Sequence, residues 1–217
     1  MESFFQQHYN DWRTSRLNGI KKYLIHDYLL NKTLFEIGSG KGEIGNSFSK
    51  MGAIVTCSDA RQEYVDFINQ TYTNLKAITF DANHNIIGDK FDIILHWGVL
   101  YHIAEIETHL KNVSECCNVL FLETEVCNSN DGDTILYTNE EGYDQAFNNI
   151  GCRPSPTYVE KLLIKYEFKY QMIVDDILNS GFHIYDWNVT NTNDWKHGLR
   201  RYWICWKNVS SPINNLS

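Results

Sequence analysis

Three glycines divide the stretch Thr33–Met51, TLFEIGSGKGEIGNSFSKM, and this junction limits what the chain can fold into more than any other feature. Thr33-Leu34-Phe35-Glu36-Ile37 reads as a short buried strand, because apolar and β-branched residues crowd ahead of the glycines. Gly38, Gly40 and Gly42 let the backbone turn tightly and approach a ligand with no Cβ in the way. Ile44, Phe48 and Met51 follow at helical spacing, so the segment is strand, turn and helix, with the turn at the positive end of a helix dipole. A dinucleotide fingerprint requires a glycine where Glu43 stands, and a phosphate loop requires Ser or Thr after its Gly-Lys pair, whereas Lys41 is followed by Gly42-Glu43. What remains is acidic-x-Gly-x-Gly-x-Gly. Glu36, at the strand end, repels pyrophosphate and welcomes a cation.

The 217 residues suffice for one well-buried α/β domain, 1–217, with a helical extension over 1–32 ahead of a core over 33–217. Their 43% hydrophobic and 14% aromatic content belongs to a packed globular chain with no apolar run of membrane-span length. MESFFQQHYNDWR lacks the basic start and apolar core of a signal peptide, so a soluble, cytoplasmic protein is expected. The six cysteines form no C-x-x-C pair and several sit in apolar stretches, which points to core thiols and to no metal site. A formal net charge of −8 argues against extended contact with nucleic acid, whose affinity comes from neutralised phosphates.

Beyond the junction, Ala53–Ser58 reads as a second strand closed by Asp59. That carboxylate lies about 20 residues past the glycines, the distance at which an acidic residue accepts hydrogen bonds from ribose hydroxyls; it also suits the cap of a helix over Gln62–Gln70. Ala77–Phe80 makes a third strand ending at Asp81-Ala82-Asn83, and Phe91–His96 a fourth that delivers His96-Trp97-Gly98-Val99-Leu100-Tyr101-His102 to the same edge. Ligands collect at the carboxyl ends of such strands. Asn118–Glu123 is a fifth strand, followed by a long polar connection assigned to the substrate wall. Val159, Leu162, Leu163 and Tyr166 mark a helix over Tyr158–Tyr166, and Tyr170–Val174 and Arg201–Trp206 complete the strands. Phe182–Trp187 alternates too, extending the sixth strand or forming an added hairpin.

The segment 1–32 reads as helical, with Phe4, Phe5, Tyr9 and Trp12 on one face and Leu17, Ile20, Tyr23 and Leu24 on another. Arg13, Arg16, Lys21 and Lys22 between them form a solvated face, or a lid in which Trp12 with Arg13 or Arg16 turns towards substrate.

With Glu36, the three glycines and Asp59 at their spacing, the chain resembles the class I S-adenosylmethionine (AdoMet) methyltransferases. The resemblance implies a Rossmann-like, seven-stranded, mostly parallel sheet whose last two strands are antiparallel, and AdoMet as cofactor. It places Glu36, Gly38, Ser39, Gly40, Gly42, Asp59, Ala60, Asp81, Ala82, His96 and Trp97 at the cofactor. Gly98-Val99-Leu100-Tyr101-His102, Leu122-Glu123-Thr124-Glu125 and the run Gly151–Pro156 are similar to the branch that includes the tRNA wobble-uridine (carboxy)methyltransferases, and place Tyr101 beside the transferred group. The tRNA-acting relatives carry a longer basic extension, so a small or carbohydrate-like acceptor is the first reading. The tRNA enzyme and a catalytically silent AdoMet-binding subunit are the alternatives. The chain lacks the Asp/Asn-Pro-Pro-Tyr signature of base-amino methyltransferases.

Methyl transfer to oxygen or nitrogen needs positioning more than covalent chemistry. A hydroxyl acceptor also gains from a base, for which His102, or else His96, has the right chemistry. Tyr101 suits orientation of acceptor or donor. Arg153 and the Arg13/Arg16 pair can grip a carboxylate or phosphate by a bidentate fork, and Arg153 equally suits a loop-anchoring ion pair.

Overall fold

A computed structural model describes residues 2–142, 145–181, 183–185, 188–195 and 199–214, with the side chains of 2–7 left aside. Among these residues, a seven-stranded sheet is formed by β1 (Thr33–Ile37), β2 (Ile54–Asp59), β3 (Lys76–Thr79), β4 (Phe91–Trp97), β5 (Cys117–Glu125), β8 (Lys169–Ile173) and β9 (Arg200–Trp206), in the order 3-2-1-4-5-9-8. Strands β1 to β5 pair in parallel, while β9 runs antiparallel to both β5 and β8. This is the Rossmann-like sheet of class I methyltransferases, as the resemblance implied. The strand order reverses between β1 and β4, which opens a crevice at their carboxyl ends.

Alternation along each strand divides the core in two. Leu34, Ile93, Leu95 and Phe121 face α1 (Glu2–Tyr23), α2 (Glu43–Lys50) and α3 (Gln62–Thr71). Phe35, Ile94, Leu120 and Trp203 face α4 (Ile106–Cys116) and α5 (Pro156–Lys165). Helix α2 forms because Ile44 and Phe48 share one buried face, and Phe48 meets Trp97 edge-on at 5.5 Å between ring centroids. Helix α5 starts where Ser155 accepts the Tyr158 amide at 3.0 Å and Pro156 presets the first turn, a cap of about 1 kcal/mol. Helix α4 adds to the elements expected from sequence; it buries Ile106, Leu110 and Val113 at i, i+4 and i+7.

Three expectations change at their edges. The N-terminal helix ends at Tyr23, because the Tyr23 carbonyl accepts the Asn214 amide at 2.8 Å, and the chain reaches β1 through turns with Asp27 and Asn31 at positive φ. The polar connection after β5 holds a two-stranded hairpin, β6 (Ile135–Asn139) with β7 (Ile150–Pro154). Of the alternating segment 182–187, Ile184 makes a single bridge to Leu199 beside β9; Phe182, Asp186 and Trp187 lie outside the described residues.

No helix among the described residues is long and apolar enough to cross a membrane. All six cysteines are buried and unpaired, and no group of His, Cys, Asp and Glu among the described residues has the arrangement of a metal site.

Candidate functional site

A cavity of about 720 Å³ lies over the ends of β1, β2 and β4 and beneath α1. One half of its wall is the glycine turn. Gly38, Gly40 and Gly42 all take positive φ, and a Cβ built on Gly40 would meet nothing within 4 Å, so this backbone presents open ground to a ligand. Gly38, Ser39 and Gly40 line the wall; Gly42 turns the chain into α2 and stands outside the lining.

Asp59, at the end of β2, is 5% exposed. One carboxylate oxygen accepts the Gly40 amide at 2.9 Å and the other the Arg61 amide at 3.0 Å. Burial raises its pKa against the pull of these two hydrogen bonds. Each oxygen keeps a further lone pair for hydroxyl donors. Ala60, Asp81 and Ala82 continue this wall, and Asp81 caps its own turn by accepting the Asn83 amide at 3.0 Å.

Glu36 also lines the cavity, from below. Strand alternation aims it at α2, where its carboxyl lies against Cys57 Sγ at 3.4 Å, and where any Cβ on Gly45 would come within 2.5 Å of it. Burial pushes its pKa up to about 8, against the weaker downward pull of Cys57, Arg16 and the Gly45 amide. The sequence reading has this carboxyl meet a cation as an anion; burial instead holds it towards its neutral form.

The other half of the wall is aromatic and cationic. Trp12, Arg13 and Arg16 of α1 face Trp97, Tyr101 and His102 across the cavity. Trp12 donates its indole N–H to Tyr185 at 2.6 Å, which fixes α1 against the segment ahead of β9. The Arg16 guanidinium lies 3.7 Å from the Trp12 ring centroid and 5.3 Å from that of Trp97, and is 3.5 Å from Glu123. Desolvation lowers its pKa more than the nearby acidic groups raise it, and its Nε is buried with no hydrogen-bond partner among the described residues. Arg13 pairs with Glu43 at 3.7 Å nearer the solvent.

Behind this wall runs a buried ion network that sequence reading did not assemble. Arg200 contacts Glu123 at 2.7 Å and Glu125 at 3.0 Å; Arg153 contacts Glu125 and, at 2.9 Å, Glu140; Glu140 contacts His102. Tyr101 is held between the two guanidiniums and accepts from Arg200 Nη2 at 3.2 Å. Burial, ahead of the opposing charge of Arg200, pushes the Tyr101 hydroxyl up to about 12, so it stays protonated. The one sequence signal for the network is a pair of acids closing β5 and a pair of arginines opening β9, side by side only once the antiparallel pairing is known.

Two candidates stand elsewhere. His96 points to the opposite face of β4 from Trp97, since neighbours on a strand alternate, and its Nε2 contacts His109 Nε2 at 2.8 Å in the core beneath α4. Desolvation, and then His109, lower its pKa well below the usual imidazole range. Arg153 lies outside the cavity lining and is 3% exposed, its guanidinium engaged by Glu125 and Glu140 as an anchor for β7. Conversely, Gln145 and Phe147, from the loop between β6 and β7, line the cavity, and Arg61 donates to the Gln145 carbonyl at 3.0 Å.

Residues 35–120 match the family model described as "Methyltransferase domain". No curated protein matches the chain. Among solved structures, the N-terminal domain of EvdMO1 with SAH bound superposes with a TM-score of 0.68 at 14% identity, covering 91% of this chain and 80% of that one. The 1,6-didemethyltoxoflavin-N1-methyltransferase of Burkholderia thailandensis superposes at 0.53 with 15% identity over 82% of this chain and 71% of that one. An S-adenosylmethionine-dependent methyltransferase from Mesorhizobium loti gives 0.60 at 10% identity, over 83% and 93%.

Proposed function

We propose that this chain, a class I AdoMet-dependent methyltransferase by its fold and its domain match, transfers a methyl group to an oxygen or nitrogen of a small or carbohydrate-like acceptor. The observation that carries this reading is one cavity with two unlike halves, a glycine turn with a hydroxyl-accepting carboxylate on one side and an aromatic, imidazole-bearing wall on the other. EvdMO1's domain was crystallised with SAH and in the presence of D-fucose, and the Burkholderia enzyme with 1,6-didemethyltoxoflavin, which supports an acceptor of that size.

The residues present fit the cofactor. Gly40 leaves room for a ligand on the turn, Asp59 keeps lone pairs for two ribose hydroxyls, and the buried, unpartnered Nε of Arg16 offers a donor to a carboxylate. Asp81 and Ala82, further along the wall, would hold the adenine, and Glu36 would regain its charge beside a cationic ligand. When bound, AdoMet supplies a carbon already activated by its sulfonium. The protein then has to hold the acceptor in line, which falls to Trp12, Tyr101 and His102.

Calorimetric titration with AdoMet tests the reading. Binding is expected, and Asp59→Ala should weaken it by about 10- to 100-fold, the loss of hydrogen bonds to a charged group worth roughly 1.5–3 kcal/mol. No heat at millimolar AdoMet from the folded protein overturns it.

A further inference from the structure

We infer that Glu140 is a positioning residue that fixes the His102 imidazole as the proton acceptor for a neutral hydroxyl substrate. The inference rests on the methyltransferase reading and goes beyond it in naming the acceptor's chemistry and a residue from the β6–β7 hairpin.

Glu140 is 5% exposed and its carboxylate is fully engaged. One oxygen accepts from Arg153 Nη1 at 2.9 Å; the other accepts the Ala146 amide at 3.0 Å and contacts His102 Nδ1. The hairpin makes room for it, because any side chain on Gly151, on β7 just ahead of Arg153, would press within 2.3 Å of the carboxyl. Burial alone would raise the pKa of Glu140; the hydrogen bonds and charges of His102 and Arg153 outweigh it and hold the carboxyl below its ordinary value. With Arg153 Nη1 donating to one oxygen and the Ala146 amide to the other, the carboxyl is held as an anion whatever the charge of the ring, and an anion only accepts.

The consequence falls on the ring. If the carboxylate accepts, Nδ1 donates; a neutral imidazole has one N–H, so Nε2 carries the lone pair. Nε2 has no hydrogen-bond partner among the described residues, and His102 lines the cavity. The ring is packed on Tyr101 at 4.0 Å between centroids, and its backbone carbonyl accepts from Asn83 Nδ2 at 3.2 Å. One tautomer, one orientation and one free basic atom result.

Charge decides which acceptor suits that atom. In the cluster behind the wall, Arg16, Arg153 and Arg200 are matched one for one by Glu123, Glu125 and Glu140, so with a neutral imidazole the cluster beside His102 carries no net positive charge to draw an anionic acceptor; among the other cations lining the cavity, Arg13 pairs with Glu43 and Arg61 donates to the Gln145 carbonyl. A neutral hydroxyl fits. Its oxygen lone pair forms the new C–O bond, its proton passes to Nε2, and the pair from the broken S–C bond stays on sulfur.

The test reads the tautomer without needing the acceptor. In protein labelled with ¹⁵N-histidine and assigned through His102→Asn, long-range imidazole spectra should show Nδ1 protonated and Nε2 bare. Glu140→Leu should convert His102 towards Nε2–H, and in Glu140→Gln, whose amide accepts or donates, the two tautomers should mix, which keeps the test open if the leucine variant fails to fold. A protonated Nε2 in the wild type, or a tautomer indifferent to both substitutions, overturns the inference. Because these spectra need no AdoMet, their failure is separable from a failure of cofactor binding. In a screen of alcohols, sugars and phenols against amines and aromatic nitrogens by AdoHcy release, hydroxyl compounds should turn over. For them kcat should fall by about 100-fold or more in Glu140→Leu with KM and AdoMet affinity unchanged; turnover confined to nitrogen acceptors overturns it.

Discussion

Glu36 illustrates how a single residue's chemistry depends on which side of a strand it occupies. Aimed at α2 and desolvated, it has a pKa near 8 against an ordinary value of 4.5, so the fold favours its neutral form. Its contribution to stability is therefore complete below about pH 4.5 and is lost as the pH rises through 8, at about 1.4 kcal/mol for each pH unit between those limits. Urea denaturation across pH 5 to 9 should show the wild type losing stability by several kcal/mol, and Glu36→Gln should remove most of that slope; equal slopes would refute the assignment. Trp12 is the other residue on which much rests. It is 7% exposed and stacks against His183 at 3.9 Å between centroids, as well as tying α1 to Tyr185. Trp12→Ala should cost about 3–5 kcal/mol in chemical denaturation, with an unchanged m-value.

At the scale of elements, the β6–β7 hairpin would be marginal alone, since two strands bury too little surface. It is held by Cys152 Sγ against the Ile103 carbonyl at 3.2 Å and by Arg153 bridging Glu125 and Glu140. Arg153→Met removes the cation shared by two buried carboxylates, Glu125 and Glu140, so a loss of about 3 kcal/mol is expected, with limited proteolysis cutting first within 128–150. Uniform cleavage along the chain would contradict that picture. The hairpin was invisible in the sequence because its strands are short and carry no clean alternation; Ile135–Asn139 exposes Tyr137, and Ile150–Pro154 contains Gly151 and Pro154. Helix α4, by contrast, carries a plain helical signal in the spacing of Ile106, Leu110 and Val113.

Across the whole molecule, the sheet brings together residues that no local pattern connects. Arg200 meets Glu123 across 77 residues, and His102 meets Glu140 across 38. The strand, glycine turn and helix, the carboxylate closing β2, and the succession of sheet strands were legible in the residues alone, because each is written in near neighbours and in periods of two or 3.6. Those features laid out the glycine-turn half of the cavity, including Glu36, Gly38, Ser39, Gly40, Asp59, Ala60, Asp81 and Ala82. The aromatic half of the cavity came from long-range packing alone. The parity of β4 sends Trp97 to the cavity and His96 to the core, and antiparallel pairing of β5 with β9 sets acids beside arginines. Folding the hairpin back then turns Arg153 from a substrate candidate into the anchor of Glu140, since ion pairs are made by distance in space and charge carries no record of its partner in the chain.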